Sequence, residues 1–307
     1  MSDLDLHTPT ATFVRELRRL GAQRSEPVWR AYAQPGPEVA EIWDVSIPVP
    51  DAPSLNGRLY RPFDEADGRA AALHLHLHGG GWWQGSIDEW IVDVQCRERG
   101  ALGRSIVLSV DYRKAPDHPF PAAVLDAHAA LGWLADQADA LGASERLTMS
   151  GVSAGANLAA AALLLAQERG GPTVHRLILE AAPVDLRLDE PTGWDGPDGT
   201  GIDRAEMDAA LALYLSSAAD AAHPLASPLL ADDLSGLPAT TLLVGERDPL
   251  HRGSVAFAAR LRGAGVEVEL LEFPDFVHHT PALTAVVPEA RAWRAAVAAA
   301  IRGTDEP

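Results

Sequence analysis

Short apolar runs recur along most of the chain and alternate, in its second half, with helix-length segments. Runs of this length, bounded by polar, proline-rich or glycine-rich sequence, are typical of buried strands. Eight strands are predicted in this way, at 42–47, 57–60, 73–77, 106–110, 147–149, 177–181, 241–244 and 266–272. Helices are predicted among and after the later strands, at 122–135, 157–167, 255–261 and 288–301. The alternation predicts an α/β fold with a mostly parallel eight-stranded sheet and helices on both faces.

Two stretches lie outside this pattern. Residues 1 to about 40 are polar, and apolar positions three and four residues apart predict a helix from Phe13 to Leu20. Residues from about 186 to 226 contain no strand pattern and begin in the Gly-, Pro- and Asp-rich run 191–199. Neither stretch is expected to belong to the sheet.

The composition limits the size of the core and the kinds of partner. With 307 residues, 47% of them hydrophobic and 22% charged, the chain is long enough for one sizeable core. Its 25 Lys and Arg against 43 Asp and Glu give a net charge of −18, which repels nucleic acid and anionic membrane surfaces. No nucleic-acid or membrane partner is therefore expected, and a homodimer is left open.

Cysteine usage and the N-terminus favour the cytoplasm. The one cysteine, Cys96, cannot form a disulfide within the chain. The start, Met1 to Asp5, lacks the basic residues and apolar core of a signal peptide, and no apolar stretch approaches the roughly 20 residues that span a bilayer. We therefore expect a cytoplasmic protein.

The pentapeptide Gly151-Val152-Ser153-Ala154-Gly155 places a serine between two glycines, after a predicted strand and before an Ala-rich helix. Such a turn, called a nucleophile elbow, holds the serine in strained backbone geometry, and the glycines remove Cβ atoms that would clash. The serine hydroxyl is then exposed above the sheet. A glycine-rich turn whose serine caps the following helix is the alternative.

Two further motifs favour catalysis. The strand at 73–77 leads into His78-Gly79-Gly80-Gly81-Trp82, a loop whose bare backbone N–H groups can approach a reacting oxygen. Fixed donors of this kind stabilise the negative charge of an acyl-transfer transition state, and the loss of one costs roughly 3–4 kcal/mol. Downstream, Asp248 follows one predicted strand and His278 follows another. The order Ser, Asp, His, each just after a strand, is the one expected of an α/β-hydrolase.

These motifs resemble those of the bacterial hormone-sensitive-lipase-like carboxylesterases, a family of the α/β-hydrolase superfamily. The resemblance extends from about residue 50 to the C-terminus. Its most specific stretches are 78–82, 111–123, the elbow through Ala159, and Asp248-Pro249-Leu250. It implies a single α/β-hydrolase domain over residues 1–307, with a helical cap formed by about 1–40 and 186–226.

The resemblance also implies a role for each candidate residue. Ser153 would be the nucleophile, His278 the general base and acid, and Asp248 the residue that orients the histidine. The backbone N–H groups expected to form the oxyanion hole belong to Gly80, Gly81 and Ala154. The family spacing from Phe273-Pro274 selects His278 over its neighbour His279. The family match likewise favours Asp248, and Glu246 is kept as the alternative.

The sequence departs from the family at three places. Val152 stands where the family has an acidic residue or threonine, and Ala156 where it has a second glycine. His279-Thr280 replaces a glycine and an aromatic residue, which implies a bulkier and more polar pocket wall. These departures concern substrate fit more than mechanism.

Several other polar residues have plainer interpretations. His74, His76 and His78 share one face of a strand, where neighbours lie about 7 Å apart, and no acidic partner follows closely. Packing is therefore expected for them, and no metal site. Asp111 and Arg113 are expected to form a structural ion pair beneath the glycine loop.

We expect a serine carboxylesterase that hydrolyses short- to medium-chain carboxylic esters through an acyl-enzyme, without a metal or an organic cofactor. The side chains expected to bind the small-molecule ester are Trp82, Trp83, Trp194 and His279, with core packing equally open for Trp83. Alternatives on the same triad are an amidase, a lactonase or a specialised detoxifying hydrolase. A non-catalytic ligand-binding protein, like the plant hormone receptors of this fold that lack the histidine, is disfavoured because all three triad candidates are present.

Overall fold

The computed structural model describes residues 7–20, 26–64, 68–188 and 202–303. The strands are β1 (Glu41–Val49), β2 (Ala52–Arg61), β3 (Ala72–Leu77), β4 (Ser105–Val110), β5 (Leu147–Val152), β6 (Arg176–Glu180), β7 (Ala239–Gly245) and β8 (Val268–Phe273). The helices are α1 (His7–Leu20), α2 (Glu26–Tyr32), α3 (Trp90–Gly103), α4 (Ala122–Asp136), α5 (Ala138–Leu141), α6 (Ala154–Arg169), α7 (Arg204–Tyr214), α8 (His251–Gly263) and α9 (Glu289–Arg302).

The eight strands form one sheet in the order β1-β2-β4-β3-β5-β6-β7-β8. β2 pairs antiparallel with both β1 and β4, and every other pair is parallel. The predicted fold class, a mostly parallel eight-stranded α/β sheet, is confirmed. Across the described ranges, no helix is both long enough and apolar enough to cross a membrane.

Helices cover both faces of the sheet because side chains on a strand alternate between its faces. Leu242 and Leu243 of β7 illustrate this: the first belongs to a hydrophobic cluster with α4, α6 and α8, the second to a cluster with α9. A third cluster packs α3 against β2 and β4. The Ala-rich α6 is buried along most of its length, since small side chains allow a close approach to the sheet.

The N-terminal helices pack on the face of the sheet that α9 covers. Phe13 of α1 is wholly buried and contacts the rings of Trp29 and Tyr32, with centroids 4.8 and 5.3 Å apart. Its ring also lies 6.2 Å from that of His279. The predicted helix at Phe13 is therefore present, and it lies close to the loop that carries His278.

Candidate active site

Ser153 lies at the turn from β5 into α6. Its backbone has φ +52° and ψ −121°, a conformation that L residues rarely adopt. A Cβ atom at Gly155 would lie 2.2 Å from the carbonyl oxygen of Leu77, and one at Gly151 would lie 2.1 Å from the carbonyl oxygen of Gly155. Both glycines are therefore required by the turn. The Ser153 side chain makes no capping hydrogen bond to α6, so the alternative of a helix-capping serine is wrong.

Three side chains from different loops form a continuous chain of hydrogen bonds. His278 Nε2 lies 3.0 Å from Ser153 Oγ, and His278 Nδ1 lies 2.8 Å from Asp248 Oδ2. Because a carboxylate only accepts hydrogen bonds, the Nδ1–H donates to Asp248, and Nε2 is left to accept the serine O–H. The other Asp248 oxygen accepts the Leu250 N–H at 2.9 Å, and the carboxylate is buried. An oriented imidazole beside a serine hydroxyl is the arrangement that activates the nucleophile.

The alternatives to His278 and Asp248 occupy other positions. The His279 ring stands edge-on against that of His278, with centroids 5.3 Å apart. Glu246 is exposed at the surface, whereas Asp248 is 4% exposed. The structure thus brings Ser153 together with His278 and Asp248.

The glycine loop after β3 lies beside the nucleophile. A Cβ atom at Gly79 would lie 3.6 Å from Ser153 Cβ. Gly80 has φ +124° and Gly81 φ +57°, and a Cβ atom at Gly80 would lie 2.2 Å from the Gln84 carbonyl oxygen. Ala154, the first residue of α6, occupies a position whose backbone N–H has no acceptor within the helix. The loop and the start of α6 therefore meet at the serine.

His78 and Tyr112 support this loop. Their rings stack with centroids 4.3 Å apart and an interplanar angle of 18°. Tyr112 Oη donates to the His78 carbonyl oxygen at 2.9 Å, and His78 Nδ1–H donates to the Gly79 carbonyl oxygen at 2.7 Å. Burial lowers the pKa of His78 to about 4, so its ring is neutral at physiological pH. The histidine is a fixed donor to the loop.

The predicted ion pair between Asp111 and Arg113 is wrong. Asp111 pairs with Lys114 at 2.5 Å, and the Arg113 guanidinium binds Asp126 of α4 through three nitrogen–oxygen contacts of 2.6, 2.9 and 3.0 Å. The Asp126 carboxylate is wholly buried, so it requires charged donors, and the Arg113 guanidinium supplies them. Both pairs are structural, as expected, but their partners differ.

His74 and His76 are wholly buried and bonded to polar side chains of β5. His74 Nδ1 lies 2.7 Å from Thr148 Oγ1 and His74 Nε2 lies 2.8 Å from Ser150 Oγ, which is also 3.0 Å from His76 Nδ1. Burial, together with the nearby Arg99 guanidinium, lowers the pKa of both histidines. These contacts match the packing interpretation. Within the described ranges, no three His, Cys, Asp or Glu side chains are grouped to hold a metal ion.

Beneath the elbow lies a buried ion pair that the sequence analysis missed. The Arg99 guanidinium of α3 contacts the Glu180 carboxylate at the end of β6, and these side chains are 2% and 4% exposed. Trp293 of α9 donates its indole N–H to the second carboxylate oxygen at 2.7 Å. The Glu180 carbonyl oxygen accepts the Ser153 N–H at 2.8 Å. The pair thus joins α3 and α9 to the nucleophile turn. Arg99 and Trp293 lie 81 and 113 residues from Glu180 in the sequence, so no local motif marks them as its partners.

Ser153 and His278 open into a cavity of about 740 Å³. Its apolar lining from α1, α2 and α7 comprises Val14, Leu17, Trp29, Met207, Ala209, Ala210 and Leu213. The predicted lining residues Trp82, Trp83 and His279 all contribute to its wall, and Trp194 lies outside the described residues.

The two tryptophans of the loop differ in their surroundings. Trp82 is 1% exposed, its indole N–H donates to Asn157 Oδ1 at 3.2 Å, and its ring stacks on Tyr214 of α7 at 4.7 Å. Trp82 therefore connects the loop to both α6 and α7. Trp83 is 44% exposed, so core packing, the alternative for this residue, is wrong.

The sheet topology and the Ser-His-Asp geometry define an α/β hydrolase. A family model described as the alpha/beta hydrolase fold matches residues 74–282. The chain belongs to this family, as the sequence predicts.

Several known proteins similar to this chain are named esterases. Carboxylesterase NlhH of Mycobacterium tuberculosis is 37% identical over 220 residues, which cover 70% of this chain and 68% of that protein. EstE1, a thermophilic carboxylesterase cloned from a metagenomic library, has a TM-score of 0.85 at 34% identity, covering 96% of this chain and 98% of its own. A hyperthermophilic esterase from the archaeon Pyrobaculum calidifontis has a TM-score of 0.83 at 31% identity, covering 98% and 91%.

Proposed function

We propose that this chain is a serine carboxylesterase that hydrolyses short- to medium-chain carboxylic esters. The class of enzyme, a carboxylic-ester hydrolase, follows from relatives that are named carboxylesterase, carboxylic ester hydrolase and arylesterase. The observation that carries the mechanism is the hydrogen-bonded chain from Ser153 through His278 to Asp248, open to a cavity.

Acylation begins when Ser153 Oγ attacks the ester carbonyl carbon and its proton passes to His278 Nε2, 3.0 Å away. The carbonyl π electrons move onto oxygen, and Asp248 stabilises the imidazolium that forms. When the tetrahedral intermediate collapses, the bond to the alcohol oxygen breaks and His278 gives its proton to that oxygen. The alcohol leaves, and the acyl group remains on Ser153.

Deacylation repeats these steps with water as the nucleophile. His278 takes a proton from water, the hydroxide attacks the acyl carbon, and the bond to Ser153 Oγ breaks on collapse. The serine recovers its proton from His278, and the carboxylic acid is released. Since His278 carries every proton, this chemistry needs no metal or organic cofactor.

The oxyanion of both intermediates is assigned to the backbone N–H groups of Gly80, Gly81 and Ala154. The glycine conformations and the position of Ala154 at the start of α6 support this assignment, because the amino end of a helix carries partial positive charge. Each donor of this kind lowers the activation free energy by roughly 3–4 kcal/mol.

The substrate is proposed to lie between the sheet and a cap. The cap comprises about residues 1–40 and 186–226 of a single domain over 1–307, and support comes from α1, α2 and α7, which line the cavity. A volume of about 740 Å³ lies within the usual range of small-molecule sites, about 300–1,000 Å³. That size favours short and medium acyl chains, in contact with Trp82, Trp83 and His279.

Replacement of the nucleophile tests the mechanism. Ser153→Ala should fold normally and lose at least about three orders of magnitude in ester turnover. A sulfonyl fluoride should modify the wild-type protein at Ser153, as peptide mass spectrometry would show. Two histidine variants form a matched pair. His278→Ala should be nearly inactive, whereas His279→Ala keeps the triad and should retain most activity. Turnover by Ser153→Ala within tenfold of wild type would refute the proposal.

The substrate class is tested with purified protein against acyl esters of graded chain length, alongside amides and lactones. We expect the highest kcat/KM for short and medium esters. A preference for amides or lactones would replace the esterase assignment and leave the triad in place. Binding of an ester without turnover would indicate a ligand-binding protein instead.

A further inference from the structure

Among the described residues, one acidic side chain in the substrate cavity, that of Glu89, forms no hydrogen bond or ion pair with another side chain. Glu89 immediately precedes α3, is half-buried, and lines the same cavity as Ser153. Its side chain makes no capping hydrogen bond to α3. Within the described part of the chain, its carboxylate forms neither a hydrogen bond nor an ion pair with another side chain.

The other charged residues of the cavity wall have partners. Glu180 is held by Arg99 and Trp293. Arg294 pairs with Glu98 at 2.9 Å, and Glu206 caps α7 by accepting a backbone N–H at its amino end. Glu89 therefore contributes a negative charge to the cavity that the described residues leave available to a ligand.

Partial burial makes the negative charge of Glu89 energetically unfavourable. Burial raises the pKa of its carboxyl, Lys114 opposes the rise, and Asp111 adds to it. Lys114 and Asp111 bond to each other at 2.5 Å, so their charges largely offset at a distance. A cation beside Glu89 would replace the solvation that burial removes.

Two indole rings in the same cavity suit such a cation. Trp29 and Trp83 both line the space that Glu89 faces. The face of an indole attracts alkylammonium groups, and aromatic side chains of this kind recognise quaternary ammonium ligands. The net charge of −18 also draws cations toward the protein.

We infer that this cavity selects esters that carry a positively charged amine on their acyl or alcohol part, and that Glu89 is the side chain that recognises the charge. The inference rests on the proposed esterase function and names its substrate class. Neutral esters still react at Ser153, whereas Glu89 repels esters that carry a carboxylate.

Two pairs of substrates test this preference, each differing in charge and not in shape. In the first pair, the acetate ester of choline (acetylcholine) is compared with its carbon isostere, 3,3-dimethylbutyl acetate, in which a tert-butyl group replaces trimethylammonium. In the second, the cation or its isostere ends the acyl chain of an ethyl ester. We expect wild-type kcat/KM to favour the cationic member roughly tenfold in at least one pair.

Glu89→Gln should bring that ratio close to one, because the amide keeps the shape and loses the charge. Asp88→Asn is the matched control: it removes the same charge one residue away, from a side chain that is 76% exposed, pairs with Arg58 and does not line the cavity. It should keep the wild-type ratio. No cation preference in either pair, an unchanged ratio in Glu89→Gln, or an equal loss in Asp88→Asn would overturn the inference.

Failure of the esterase function itself would look different. In that case the wild-type protein would hydrolyse neither member of either pair faster than Ser153→Ala does. A thermal melt gives a second, independent reading. Since Glu89→Gln removes an uncompensated, partly desolvated charge, its Tm at pH 8 should equal or exceed that of the wild type. A lower Tm would contradict the premise that the carboxylate lacks a partner.

Discussion

Arg99→Met removes the cation from the buried pair beneath the nucleophile. The Glu180 carboxylate, 4% exposed, is then left with the Trp293 indole N–H at 2.7 Å as its side-chain donor. Breaking a buried pair from one side costs about 3–5 kcal/mol, because the remaining charge has neither water nor a counter-ion. Arg99 also donates to Ser150 Oγ at 3.3 Å and to the Gln95 carbonyl oxygen at 3.0 Å. We therefore expect the upper half of that range.

Thermal unfolding measures this loss. Unfolding entropy is about 2.1 cal/mol/K per residue, so over 307 residues a cost of about 3–5 kcal/mol lowers Tm by roughly 5–8 °C. Arg97→Met is the control on the same helix, because Arg97 pairs with Asp93 at a partly exposed site, where such a pair contributes about 0–1 kcal/mol. The double variant Arg99→Met/Glu180→Gln should recover part of the loss, since no buried charge remains.

Two results would refute this reasoning. The first is a loss of Tm in Arg99→Met no larger than that in Arg97→Met. The second is a double variant whose loss equals the sum of the two single losses, because additivity means that the side chains do not interact. Circular dichroism before heating shows whether each variant begins from the same fold.

Asp248→Asn should lower kcat by roughly three to four orders of magnitude, because it favours the wrong tautomer of His278. The control, Glu246→Gln, should retain most activity. Steady-state kinetics of both variants on one ester tests this. Gly155→Ala should yield little folded protein, since its Cβ would lie 2.2 Å from a β3 carbonyl oxygen, and a variant with wild-type Tm would contradict the close approach. Burial lowers the pKa of His78 from 6.5 to about 4. Between pH 6.5 and about pH 4 the unfolded chain therefore binds more protons than the folded protein. Tm should therefore fall as pH drops from about 6.5 to 4, and by less in His78→Asn.

The strands are predictable where apolar residues recur along them, and the larger errors in their bounds occur where polar residues or a glycine extend a strand. β2 was predicted at 57–60 but spans Ala52–Arg61, since its first half alternates exposed and buried residues. β5 continues past 149 to Val152 through a serine and a glycine. Helix α3 was missed because it buries Gln95 and Arg99, polar residues whose partners lie far away in sequence.

The residues of the candidate site also differ in how far the sequence predicts their roles and partners. The elbow glycines are a local signal that marks Ser153 in the sequence, whereas the choice of Asp248 over Glu246 and of His278 over His279 depends on the family resemblance. The wrong partner for Arg113 shows the limit: the need of a buried Asp126 carboxylate, on a helix thirteen residues away, decides the pairing. Sequence spacing alone does not reveal which charges a fold buries.

Two groups of charged side chains lie near Ser153, and substitutions in them should affect ester hydrolysis in different ways. Beneath the serine, His74 and His76 are neutral and Glu180 is neutralised by Arg99, so this layer presents little net charge to the substrate and fixes the serine through the Glu180 carbonyl oxygen. A change there that leaves no net charge alters the position of the nucleophile and must affect a cationic ester and its neutral isostere alike. A change at Glu89 alters the potential in the cavity and must affect the two esters differently. Arg99→Met/Glu180→Gln, which removes both charges of the pair, should therefore lower kcat/KM for both esters with an unchanged ratio, whereas Glu89→Gln should change the ratio, and the two effects should add when the changes are combined.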